Sequence, residues 1–211
     1  MVHAVRSGTA SPAQTRVLQW EHLQQLIVQA ATDIVAEHGW QGAQMALIAA
    51  RAGVATGSMY RHFTSKADLF AQVLAVVSQR EVDVVDEIGR GTGPAPARLR
   101  AAVTAFMKRA LKRRRLAYAL IAEPCEPEID RARLVYRAAL AQSLERLIAD
   151  GVHRGEFRTA QASTAASCVA GAMMEALVGP LAPDVPADSR AAGALVRTTA
   201  DLCVTMLAGA R

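Results

Sequence analysis

Aromatic side chains are scarce in this sequence, at 4% of its 211 residues, and runs of β-branched residues are few. Strands are built largely from those residue types, so a sheet-based fold is not expected. Hydrophobic residues still make up 52% of the chain, much of it alanine, the strongest helix former. The expectation is an all-α protein, long enough for one or two small domains and a sizeable core. Cysteine is sparse: Cys125, Cys168 and Cys203 are odd in number and far apart. They fit neither a disulfide framework nor a zinc-ligand spacing. The first twenty residues hold no apolar core of signal-peptide length, and no stretch reaches about 18 apolar residues without a charge. A cytoplasmic location with no membrane segment is therefore expected. Chemistry is missing too. No Walker or Rossmann glycine loop occurs, because the GRGTG at 89–93 follows a helical pattern and precedes Pro94. His153 has no nucleophile signature beside it, and Cys125 has no paired histidine in a local motif. No enzymatic activity, cofactor or metal is expected.

Basic charge and helical periodicity are present. Lys and Arg outnumber Asp and Glu by 24 to 19, for a net charge of +5, which suits a nucleic-acid partner. From Leu18 an apolar stripe of Leu23, Leu26, Ile27, Ala30, Ile34 and Val35 predicts a first helix ending at Gly39. Residues 1–17 show no periodicity and read as a flexible tail. Met45, Ile48, Ala49 and Ala52 predict a short second helix closed by Gly53. A third fits between Thr56 and His62, and a fourth starts near Ser65, where Ser65 and Asp68 resemble a capping box. That helix runs towards Ile88 and is broken at 89–97. Further helices are expected at about 96–113, 115–122, 127–154, 160–178 and 189–208, punctuated by EPCEP, HRGEF and GPLAPDVPAD. The count is about nine.

The stretch RAGVATGSMYRHFTSKADLF, from Arg51 to Phe70, holds the most information. Small Ala49 lets two helices cross closely, Gly53 permits a left-handed turn, and apolar Met59 anchors the following helix. That is the logic of a helix-turn-helix, whose second helix enters the major groove. At about 100° per residue, Met59 and Phe63 point to the core while Gly57 and Arg61 point away. Ser58 and Tyr60 lie on the flanks. Gly57 lets the helix sit close to a base edge or sugar. Arg61 can fork onto guanine or grip phosphate. The Ser58 and Tyr60 hydroxyls suit phosphate or base contacts, and His62 and Lys66 suit phosphate. His62 reads equally well as a capping histidine, and Arg51 as a solvated one.

Residues 21–69 resemble the N-terminal DNA-binding domain of the TetR family of bacterial transcriptional regulators. The resemblance rests on the amphipathic first helix ending in Gly39-Trp40, then Ile48-Ala49, Ala52-Gly53-Val54, Gly57, Tyr60, His62-Phe63 and Ser65-Lys66. It implies a helix-turn-helix domain over 18–67 followed by a ligand-binding and dimerisation domain over 68–211. It further implies a ligand-responsive repressor that reads a palindromic double-stranded DNA operator as a homodimer. Two departures stand out. Family members often carry Ser at the position of Ala55 as the cap of the recognition helix. Here Thr56 is expected to take over, with the helix starting one residue later. Where the family favours Thr or Ser, this chain has Ala43-Gln44, and the Gln44 amide can still reach a phosphate.

The distal half is apolar and poor in convergent polar groups. The expected effector is a small organic molecule with substantial apolar surface. Candidate contacts are Met107, Leu111, Tyr118, Cys125, Tyr136, Met173, Met174 and Glu175, although each Met also reads as ordinary core. Glu175 reads as a surface position, an interface partner or a polar anchor. The basic run Lys108, Arg109, Lys112, Arg113, Arg114 and Arg115 reads as a solvated face and loop, with pairing to Glu123, Glu126 or Glu128 or reception of an anionic ligand as alternatives. Apolar residues on more than one face of the last two helices suggest the dimer surface. The alternative function is a small-molecule-binding protein of the same fold with no regulatory DNA target.

Overall fold

A computed structural model of the chain describes residues 12–208, and among the described residues there are nine α-helices and no strand. They are α1 (Pro12–Gly42), α2 (Met45–Ala52), α3 (Thr56–His62), α4 (Lys66–Arg90), α5 (Ala95–Lys112), α6 (Arg114–Ile121), α7 (Pro127–His153), α8 (Ala162–Leu181) and α9 (Ser189–Ala208). The expected helix boundaries hold to within a few residues except at the start. Of the expected tail, 1–11 lies outside the described residues, and from Pro12 onwards the chain is helical. Proline is favoured in a first helical turn because its missing N–H has no partner there anyway. Residues 14–20 of this helix are all exposed, so they carry no apolar stripe from which it could be read.

Gly39 ends the regular part of α1 as expected. Its left-handed φ of 70° bends the chain before a last turn to Gly42. A Cβ there would collide with the guanidinium of Arg115 and the carboxylate of Glu123, so both backbone and space require glycine. The bend delivers Trp40 into the interior. Its backbone N–H donates to Glu123 Oε2 at 3.1 Å, and its indole Nε1–H donates to the Ala119 carbonyl on α6. Arg115 donates to the His38 carbonyl at 3.0 Å and to Glu123 Oε1 at 3.2 Å.

Two apolar clusters fill the interior. One joins α1–α3 and the first turns of α4 through Ile27, Ile48, Met59, Phe63, Leu69 and Phe70, and takes in Leu116, Leu120 and Ile129 from α6 and α7. The larger one joins α5, α7, α8 and α9 with the second half of α4, through Val82, Val85, Phe106, Leu144, Met173 and Cys203. α4 thus contributes to both. It packs on α7 and α5, while α6 packs on α1. Ser65 caps α4: its Oγ accepts from the Asp68 N–H at 3.0 Å, and Asp68 accepts in return from the Thr64 N–H at 2.9 Å.

The basic run differs from the expected solvated face. Arg109 forms a two-bond pair with Glu81 at 2.8 and 2.9 Å. Arg114 donates to the carbonyls of Pro180 and Val185, both at 2.7 Å, and Arg115 joins the Trp40 cluster. Lys108, Lys112 and Arg113 remain exposed. The anchoring by Arg114 and the burial of Leu181 hold α8 helical through Pro180, past its expected end. By length and composition α8 and α9 could each cross a membrane. In this fold α8 buries Val169, Met173 and Leu177, and α9 buries Val196, Cys203 and Leu207.

Candidate nucleic-acid interface

The turn between α2 and α3 is built as the sequence requires. Ala49 is buried, Gly53 takes φ 71° and ψ 29°, and the Val54 N–H donates to the Ala49 carbonyl at 3.0 Å. Met59 is fully buried and Phe63 nearly so, which fixes the rotation of α3 about its axis. The opposite face is open. A Cβ at Gly57 would meet nothing within 4 Å. Tyr60 is 54% exposed, and Arg61 is exposed with its guanidinium donating to Ser58 Oγ at 2.7 Å. Gly57, Ser58, Tyr60 and Arg61 therefore share one side of a short, rigidly seated helix. Gln44 stands exposed at the start of α2, with no capping bond from its side chain. Lys66 opens α4, its ammonium 5.1 Å from the Phe70 ring centre, a cation–π arrangement that leaves it beside the end of α3.

Three residues sit differently from expectation. Thr56 is the first residue of α3 and not its cap. Ala55 occupies the cap position with extended backbone and no side-chain bond, and its carbonyl accepts from the Ser58 N–H at 2.8 Å. His62 turns inward and stacks on Trp20 of α1, with ring centres 3.8 Å apart. Its Nδ1 is buried without a partner, and burial, aided by Arg61, pushes its pKa down. Arg51 is not merely solvated, since it holds Glu37 through two bonds of 2.9 Å. Trp20 gave no signal in the sequence, because its partner is set only by the approach of α1 to the end of α3.

The effector candidates are not brought together. Met107, Met173 and Met174 are buried in the core, and Glu175 is exposed on α8. Tyr118 is half-buried against the larger cluster. Cys125 packs at the edge of the other, 3.4 Å from Asp130 Oδ1, with burial pushing its thiol up to about 11. Leu111 lines an open cleft of about 900 Å³ between α5, α9 and the loop after α8. Met174 lines a groove of about 200 Å³ between α7 and α8. Tyr136 alone of the set reaches the half-open chamber between α4, α5, α6 and α7. That chamber holds about 50 Å³ and is walled by Val77, Phe106, Leu116 and Ile121. Ser78 and Glu81 also line it and were not foreseen, because the facing of α4 against α5 and α7 is a tertiary fact; Arg109 lines it too, a member of the basic run for which an anionic ligand was one alternative.

Known proteins match this arrangement from both ends. The model of the bacterial regulatory proteins of the tetR family fits residues 27–73, and that of the tetracyclin repressor-like C-terminal domain fits residues 92–177. The HTH-type transcriptional activator FasR of Mycolicibacterium smegmatis is 37% identical over 108 residues. The match spans 49% of this chain and 49% of that relative, about half the length of each. The regulator FadR of Bacillus subtilis, solved with stearoyl-CoA, superposes with a TM-score of 0.73 at 21% identity, covering 86% of this chain and 97% of that one. The fatty acid degradation regulator FadR of Bacillus halodurans gives 0.73 at 22% identity, covering 93% and 97%. RolR in complex with resorcinol gives 0.70 at 17% identity, covering 91% and 90%. With its recognition segment and its distal helices both accounted for, this chain belongs to the TetR family of bacterial regulatory proteins.

Proposed function

We propose that the chain is a cytoplasmic, effector-responsive regulator of transcription that binds a palindromic DNA operator as a homodimer. The observation that carries this reading is the outward face of α3. A glycine within a helix costs about 1 kcal/mol relative to alanine, and the space beside Gly57 is empty. Tyr60 and Arg61 project from the same side with no packing role. Close approach to a duplex gives all three a purpose. Residues 18–67 then read DNA, with Gln44, Thr56 and Lys66 on phosphates, and 68–211 hold the effector and the partner protomer. FasR is named an activator, so the proposal is for a regulator of either sign. No catalytic role is assigned.

The partner protomer is placed against α8 and α9. Leu202 and Met206 on α9 are 64% and 49% exposed, and on α8 the small or apolar Cys168, Gly171 and Ala172 are exposed as well. The effector is an organic molecule with a substantial apolar body. The walls of the chamber between α4 and α7 favour it, and relatives of the same fold hold stearoyl-CoA and resorcinol. Effector binding shifts the population towards a spacing of the two recognition helices that no longer fits successive major grooves.

The test is selection of bound sequences from random DNA. An enriched inverted repeat is expected, with affinity falling steeply with salt as phosphate contacts release counterions. Arg61→Ala is expected to weaken binding to the selected site by about tenfold or more, and Tyr60→Phe by less, both with unchanged thermal unfolding. Absence of any enriched repeat refutes the regulator reading.

A further inference from the structure

The chamber between α4 and α7 is apolar in its walls and polar at a few chosen points. The Ser78 hydroxyl is buried against it with no hydrogen-bond partner. The Tyr136 phenol lines it and makes no hydrogen bond among the described residues, and burial raises its pKa. Glu81 on α4 and Arg109 on α5 also line it, locked by their two bonds. The last polar group is Arg113, at the joint of α5 and α6, whose side chain has no hydrogen-bond or ion-pair partner among the described residues. Two guanidiniums therefore meet one carboxylate. The pair cancels, and one positive charge is left over at the edge of an apolar chamber.

On the reading that this chamber is the effector site, we propose that its ligand is an amphiphilic anion, an apolar body ending in a carboxylate-like group. The Glu81–Arg109 clasp is the door through which it enters. The chamber is half open to solvent and has about 50 Å³ of free space, room for little more than a water, so an organic molecule must part its walls. The aliphatic walls are held by burial on both sides, whereas the clasp is partly exposed, with Arg109 46% and Glu81 21% accessible. Exposed ion pairs hold weakly. An incoming anion takes Arg109 and Arg113 together and returns Glu81 to water, with the Ser78 and Tyr136 hydroxyls of the same chamber as further donors to its oxygens. A neutral ligand gains no such charge exchange at the clasp, and a cation is repelled.

The exchange has a consequence for DNA. Glu81 belongs to α4, whose first turns, Leu69 and Phe70, pack in the same cluster as Met59 and Phe63 of the recognition helix. The clasp is a direct tie between α4 and α5. Replacing it with a ligand–arginine contact removes that tie and shifts how α4 seats on α5, while the recognition helix stays attached to α4.

The experiment is calorimetry on the full chain with straight-chain and arylalkyl carboxylates, each against the alcohol of the same skeleton, beside displacement of the selected operator. A carboxylate is expected to bind about tenfold or more tightly than its alcohol at low salt, because a hydrogen bond to a charged group outweighs a neutral one. Arg113→Gln and Arg109→Gln are expected to erase that preference and leave alcohol binding unchanged. Glu81→Gln is expected to strengthen the carboxylate alone. Equal affinity of acid and alcohol, or a preference surviving both arginine substitutions, overturns the anionic ligand and leaves the effector site standing. Carboxylate binding that never displaces the operator overturns the coupling through α4. Failure of every compound to bind overturns both the ligand and the effector reading of the chamber.

Discussion

Arg133→Met is expected to lower the stability of the chain by about 3–5 kcal/mol, the range for stripping one partner from a buried charged network. Arg133 is 8% exposed. From α7 its guanidinium donates to the carbonyls of Ala119 at 2.6 Å, Leu120 at 3.0 Å and Glu123 at 2.6 Å. It also holds Asp130 at 2.8 Å. These carbonyls lie in and just beyond the last turn of α6, where a helix has no partners of its own to offer. Methionine keeps most of the volume and removes the donors, so buried acceptors are left unanswered. The Ala119 carbonyl also receives the Trp40 indole, so the clamp that caps α6 steadies the joint to α1. A fall in the thermal midpoint on the order of 10 °C is expected for a chain of this size. A loss under about 1 kcal/mol would show that water replaces the guanidinium and that α6 is not held this way.

Leu202→Glu is expected to leave the protomer folded and to abolish the dimer. Leu202 is 64% exposed, so in an isolated protomer a charge there costs little. In a packed interface the same charge is buried unpaired, which is expensive. Light scattering at micromolar concentration is expected to report a dimer for the parent chain and a monomer for the variant, with equal helix content by circular dichroism. Operator affinity falls with it by about 10²–10⁴-fold, because two linked half-site readers act at high effective concentration and one alone does not. A variant that stays dimeric moves the interface off this face of α9.

Much of this organisation is legible in the sequence where local rules decide it. Gly53, Ser65 and Asp68 announce a turn and a cap, and the 3.6-residue period fixes Met59 inward and Arg61 outward without knowledge of any partner. The lost signals all depend on what arrives from elsewhere in the chain. His62 follows Arg61 and looks equally exposed, yet Trp20 covers it. The arginines from Arg109 to Arg115 look like a solvated run, yet Glu81, Pro180, Val185 and His38 come to three of them from three different segments, and only the pairing of Arg115 with Glu123 was among the alternatives. The effector candidates were chosen by softness and polarity. Methionine is as good at filling a core as at lining a cavity, so Met107 and Met173 went to the core. Ser78 and Glu81, on the patterned α4, show no sign in the sequence that a chamber faces them.

The proposed duplex-facing side of α3 is probed by a single added methyl, in Gly57→Ala. Gly57 has no left-handed φ and an empty neighbourhood, so alanine strains nothing and is expected to stabilise the chain by a few tenths to about 1 kcal/mol. On DNA the added methyl stands where the helix must approach closely. The measurement is the affinity of Gly57→Ala for the selected inverted repeat, taken with its thermal midpoint. A higher midpoint with affinity weakened by about tenfold or more is the expected result. A higher midpoint with affinity unchanged or improved would contradict the claim, because this face of α3 would then not be the one that meets DNA.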